Sequence, residues 1–387
     1  MSVAFELATA ERVVFGAGCS ARLPDWLSER GFRRVLLVTG RNIERTRAFA
    51  AALKQRGIAL ERTAIVGEPT VEQARAGAQL CRQAAVEAVV GWGGGAAVDA
   101  GKAIAALTTQ PGDVLDYLEV VGRGQPLSAP SLPFVAVPTT AGPGAEVTRN
   151  AVLSAEDHRV KASLRSPAML PRLALVDPEL LAGAPMAVLR ASGLDALSQL
   201  IEPLVSVRAN PVTDAWACAG IAHSRGSLRS AVLGEPDASD LENLALASLF
   251  GGLSLANSGL GAVHGFAAPI GGMFSAPHGA VCAALLPHVM RVNIEALRAR
   301  EPQGAGLLRY ARLARLLTDR ADAQPEEGVA WMRSLCSELD VQGLRAFGVG
   351  SEHIPELVQK GQVASSMRGN PLQLTVDELA DILTSAL

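Results

Sequence analysis

The first chemistry visible in the chain is a run of glycines between an apolar segment and an alanine-rich one. Residues 89–102 read VVGWGGGAAVDAGK, an order that predicts a strand, a tight turn and a helix. Gly93, Gly94, Gly95 and Ala96 would let a phosphate approach the backbone, and the helix that follows offers free N–H groups and the positive end of its dipole. The spacing is neither GxGxxG nor GxxxxGK[ST]. A tight turn that holds no ligand is the other reading.

Two more loops follow predicted strands. Residues 138–148, PTTAGPGAEVT, place the hydroxyls of Thr139 and Thr140 beside two glycines, and open α/β sheets bind ligands at such strand ends. At Thr39-Gly40-Arg41-Asn42 no acidic side chain stands where a ribose diol is commonly held. Gly40 leaves room there, and Arg41 can pair with a phosphate. If a dinucleotide binds here, NADP(H) should be at least tolerated. Both loops also read as ordinary polar turns.

Metal-type side chains occur in the second half. Asp195 and Gln199 are four apart on a predicted helix and share a face. His264 and His278 stand in a stretch, 243–290, that contains no Asp, Glu, Lys or Arg. Two histidines and a carboxylate suit a divalent ion, although each histidine alone also reads as a hydrogen-bonded core residue.

The elements that must position these residues fall into two halves. Strands are predicted at 35–38, 64–66, 88–90, 134–137 and 173–176, with helices between them at 43–56 and 71–85. That alternation predicts a parallel α/β sheet. Beyond Asp177-Pro178 the pattern is helical: 187–205, 211–224, 240–258, 280–300, 304–317, 325–339, 354–364 and 376–386. Asn210 and Thr375 are placed to cap two of these helices. We therefore expect an α/β nucleotide-binding domain over 1–181 and an all-α domain over 182–387.

Composition narrows the class. Charged residues make up 19% of 387, and 35 basic against 38 acidic side chains leave a net charge of −3. This excludes a disordered chain and argues against a dedicated nucleic-acid binder. The five cysteines, Cys19, Cys81, Cys218, Cys282 and Cys336, are scattered and read as small apolar residues of a protein in a reducing, cytoplasmic compartment. No hydrophobic leader precedes the first charges. The uncharged stretch is interrupted by Asn257, Pro269, Pro287 and many glycines, so it reads as buried protein interior, not as a membrane span.

With these motifs in view, the chain resembles the iron-containing (group III) alcohol dehydrogenases, whose fold is shared with glycerol dehydrogenase and dehydroquinate synthase. The resemblance rests on GGGAAVDAGK at 93–102, PTTAGPGAEVT at 138–148, GLDALSQLIE at 193–202 and HGFAAPIGGMFSAPHG at 264–279. It implies an NAD(P)-dependent oxidoreductase that interconverts a small alcohol and its aldehyde or ketone. It also implies a divalent metal, Fe(II) or Zn(II), in a cleft between the two domains, and a homodimer. By the same resemblance the cofactor falls on Gly40, Gly93, Gly94, Gly95, Ala96, Asp99, Thr139, Thr140 and Lys161. The metal falls on Asp195, Gln199, His264 and His278, with Asp195, His264 and His278 as the catalytic group.

Three departures from the family pattern stand out. Gln199 replaces a histidine ligand, Ala268 replaces a histidine linked to proton transfer, and Pro143 replaces a threonine near the cofactor. Gln199 also suits a metal-independent reductase of an anionic oxo-acid, resembling maleylacetate reductases. A nucleotide-binding protein without turnover is the alternative of another class.

Overall fold

The computed structural model describes residues 4–158, 160–274 and 276–387. It divides into two compact units: residues 8–140 with 144–183, and residues 184–387 with 141–143 and the N-terminal segment.

Among the described residues of the first unit, six parallel strands form the sheet: β1 (Val13–Phe15), β2 (Arg34–Thr39), β3 (Ala59–Ala64), β4 (Ala88–Gly93), β5 (Phe134–Pro138) and β8 (Leu173–Val176). A hairpin, β6 (Asn150–Ala155) and β7 (Val160–Arg165), stands apart as an antiparallel pair. The helices are α1 (Leu23–Glu29), α2 (Arg47–Gln55), α3 (Val71–Gln83), α4 (Gly95–Thr108) and α5 (Val114–Tyr117).

The strand order is β1-β8-β5-β4-β2-β3. Alternate side chains along each central strand enter opposite cores, as the two-residue repeat requires. Leu37, Val90, Trp92, Val135 and Val137 pack with Leu23, Trp26 and Phe49 of α1 and α2. On the other face Leu36, Val38, Val89 and Ala136 pack with Val98 and Ile104 of α4. This double burial is why the strands read as nearly continuous apolar runs.

Several expected bounds shift. The strand expected at 64–66 is β3, five residues earlier, an edge strand in which no residue of ALERTA is buried. The helix expected at 43–56 opens with a separate tight turn at Ile43–Thr46 before α2. The three-residue β1 and the hairpin were not expected.

The second unit is helical: α6 (Met186–Val205), α7 (Pro211–Leu233), α8 (Ala238–Ser258), α9 (Ala262–Phe274), α10 (His278–Arg300), α11 (Ala305–Thr318), α12 (Pro325–Glu338), α13 (Ile354–Val363) and α14 (Val376–Ser385). Asn210 Oδ1 accepts the N–H groups of Val212 and Thr213, each at 3.1 Å, and Thr375 Oγ1 accepts that of Glu378 at 3.2 Å. Both expected caps are present. α6 is buried on every side from Gly193 to Val205, so its sequence lacks an amphipathic stripe. α10 is long and apolar enough to cross a membrane, but most of it is buried inside this unit.

A candidate metal centre and a glycine-lined loop

In the first unit the three predicted loops meet at one edge of the sheet. Thr39 pairs with Trp92, and Gly93 pairs with Pro138, so β2, β4 and β5 end at the same level. The Thr139 N–H donates to Gly93 O at 2.9 Å. Thr140 comes within 3.4 Å of where a side chain on Gly94 would begin. From β2 the chain runs outward to β3, and from β4 it runs the other way to β5. The gap between them is the topological switch point at which open sheets take ligands.

Gly93 has to be glycine. A Cβ there would stand 2.7 Å from Ala97 Cβ and 3.2 Å from Gly40 N, closing the gap between the loops. α4 starts on Gly94 with no capping side chain and no acidic residue in its first turn. Its dipole is therefore left for an incoming anion.

The other cofactor candidates have protein partners. Asp99 pairs with the buried Lys102 at 3.2 Å and accepts the Val152 N–H at 3.1 Å. Lys102 Nζ also donates to Thr148 Oγ1 at 2.9 Å and to Asn150 O. These contacts tie α4 to the hairpin. Lys161, on β7, pairs with Glu68 at 2.9 Å.

In the second unit α6, α9 and α10 bring four donor groups together. Asp195 comes from α6, His264 from α9, and His278 and Cys282 from α10. One ligand atom of each lies within 4.8 Å of all the others. Asp195 Oδ1 is 3.4 Å from His264 Nε2 and 3.7 Å from His278 Nε2. Cys282 Sγ is 3.8 Å and 3.7 Å from the same two nitrogens. Gly279 permits this convergence. A Cβ on it would fall 2.2 Å from Ala191 O and 3.2 Å from Asp195 Cβ, forcing the start of α10 away from α6.

Further along α6, Glu202 sets the orientation of His264. Its Oε2 accepts the Nδ1–H of His264 at 2.6 Å, and its Oε1 accepts the Val263 N–H at 2.8 Å. With Nδ1 committed, Nε2 is the nitrogen that faces Asp195 and Cys282. Burial opposes charge on Asp195, but His278 and His264 outweigh it and hold its carboxyl below the ordinary range. Burial likewise opposes a charged His278 ring, yet Cys282 and Asp195 raise it to about 9.

Two buried oxygens, Asp195 Oδ1 and Gln199 Oε1, have no hydrogen-bond partner. A buried carboxylate oxygen such as Asp195 Oδ1, 3.4 and 3.7 Å from two imidazole nitrogens, is costly unless a cation satisfies it, whereas Gln199 Oε1 lies 3.8 Å from where a side chain on Gly251 of α8 would begin. The donor set therefore fits a divalent ion. Glu202 and Cys282 are the residues that sequence reading missed. The signal for Cys282 was its spacing of four from His278.

Residues 10–178 match the family "iron-containing alcohol dehydrogenase", and residues 190–387 match the C-terminal region of the same family. The chain belongs to the iron-containing alcohol dehydrogenases. It is similar to the lactaldehyde reductase of Escherichia coli (strain K12), 32% identical over 386 residues, covering 97% of this chain and 98% of the relative. Among solved structures, a 1,3-propanediol oxidoreductase superposes with a TM-score of 0.89 at 30% identity, with both chains fully covered. The sulfoacetaldehyde reductase of Bifidobacterium kashiwanohense, solved with NAD+, superposes with a TM-score of 0.86 at 25% identity over 100% of this chain and 99% of that one.

The iron-containing alcohol dehydrogenases are oxidoreductases of alcohols and aldehydes that use a nicotinamide cofactor and a divalent metal, and this chain is one of them.

Proposed function

We propose that the enzyme reduces a short aldehyde, or oxidises the matching alcohol, with the ion held by Asp195, His264 and His278 and with Gln199 beside it. The observation that carries this reading is the buried, unpaired Asp195 Oδ1 facing two imidazole nitrogens. Relatives that act on lactaldehyde and 1,3-propanediol support a small substrate.

When bound, the ion polarises the substrate oxygen while the nicotinamide exchanges hydride with the adjoining carbon. The chain's own residues hold the geometry. Glu202 keeps the proton on His264 Nδ1, and the His264 ring is itself buried away from water. Ala268 carries no proton, so the alcohol proton passes through water or a cofactor hydroxyl.

For the cofactor, the reading assigns the pyrophosphate to Gly93, Gly94, Gly95 and Ala96, with Asp99 supporting that helix. Thr139, Thr140 and Lys161 serve the nicotinamide side, and Gly40 leaves room for a 2′-phosphate. The charge balance and five free cysteines support a cytoplasmic enzyme with no nucleic-acid or membrane partner. A homodimer is the assembly that the family suggests. As a test, Asp195→Asn should abolish aldehyde reduction while NADH binding to the protein persists. Full activity in that variant would overturn the reading.

A further inference from the structure

We propose that the Cys282 thiolate is the fourth strong ligand of the metal, joining Asp195, His264 and His278 in a site suited to Zn(II). This rests on the metal reading above and replaces the weak amide donor Gln199 with a sulfur that no motif pointed to.

The separations suit a four-ligand zinc site. Zinc bonds of about 2.0–2.2 Å to nitrogen or oxygen and about 2.3 Å to sulfur give tetrahedral edges of roughly 3.3–3.6 Å. The measured edges are 3.4 and 3.7 Å from Asp195 to the two histidines, and 3.8 and 3.7 Å from Cys282 to them. These four edges come within about 0.4 Å of the tetrahedral range, and the two remaining separations, Asp195 to Cys282 and His264 to His278, are within 4.8 Å. Cys282 sits four residues after His278 on α10, so the helix repeat presents both to the same point. It is fully buried. Neither the His264 nor the His278 Nε2 atom has a better partner than this sulfur and Asp195 Oδ1.

The chemistry agrees with the geometry. Losing an imidazole at position 199 would weaken a site made of one carboxylate and two imidazoles. A thiolate restores a strong, soft donor, and soft donors favour zinc over harder ions. With Asp195 it brings two negative ligands against a 2+ ion, while the third buried carboxylate, Glu202, is held by His264 and the Val263 N–H. A site with four protein ligands would have to accommodate a fifth to polarise a substrate oxygen, an expansion open to zinc.

The test is X-ray absorption at the zinc edge on the intact protein loaded with one equivalent of Zn(II). Zinc affinity of the native enzyme and of Cys282→Ser is measured in parallel. The inference predicts one sulfur scatterer at about 2.3 Å, absent in Cys282→Ser, and zinc binding weakened at least tenfold in that variant. Tight zinc with only nitrogen and oxygen neighbours would overturn the Cys282 assignment and leave the metal reading standing. Failure of the native protein to bind zinc or iron at all would overturn both. The spectrum of the native protein needs no variant, so it decides even if Cys282→Ser does not fold.

Discussion

His264 and Glu202 form a 2.6 Å contact from Nδ1 to Oε2 inside the helical unit, with both side chains almost fully buried. The carboxylate fixes which imidazole nitrogen carries the proton and leaves Nε2 free to face Asp195. Such partners of metal-bound histidines typically contribute 10–100-fold in metal affinity. Glu202→Gln keeps the shape and removes the charge. It should weaken zinc binding by roughly that factor, read by competition with a chromophoric chelator. Undiminished affinity would mean that His264 does not ligate through Nε2.

Gln199 shares a face of α6 with Asp195, and its Oε1 is buried without a hydrogen-bond partner. Replacing this neutral amide by imidazole offers a better ligand from the same position. Gln199→His should tighten metal binding about tenfold or more. Unchanged affinity in the same titration would show that position 199 faces away from the ion.

Gly40 follows β2, and a Cβ built on it meets nothing within 4 Å. An aspartate there is sterically free and would repel a 2′-phosphate. Gly40→Asp should reduce NADPH affinity about tenfold or more relative to NADH. Equal NADPH affinity in wild type and variant would refute the role given to this position.

Glu146, in the loop after β5, is buried, and burial pushes its carboxyl from 4.5 up to about 7. The folded protein therefore holds a proton that the unfolded chain has released. Its stabilising contribution is complete below pH 4.5 and is lost as the pH rises through about 7. The penalty at pH 8 is on the order of 3 kcal/mol. Glu146→Gln should raise the melting temperature at pH 8 and leave it nearly unchanged at pH 4.5. A shift of equal size at both values would assign the effect to packing instead.

The buried strands were legible because both faces enter cores, and β8 lies at the residues expected. β3 was not, because an edge strand with no buried residue, carrying Glu61 and Arg62 in succession, looks like a loop. α9 escaped because Gly265, Pro269, Gly271 and Gly272 read as breakers. The packed surroundings nevertheless keep the helix intact around Pro269. The helix expected from residue 280 begins at His278. That two-residue error concealed the pairing of His278 with Cys282, and Cys282 passed for a small apolar residue. Glu202 was quoted within a motif, but only the folded structure brings α9 against α6 and shows what it holds.

On the proposed mechanism, turnover needs an ion held by Asp195, His264 and His278. The direct measurement is the metal content of protein purified without chelator, with NADH- and NADPH-dependent reduction of short aldehydes and oxo-acids followed before and after EDTA. The account predicts about one ion per chain, as four convergent ligands imply, with aldehyde reduction lost on chelation and restored by Zn(II) or Fe(II). Reduction of an oxo-acid that survives complete metal removal would contradict it.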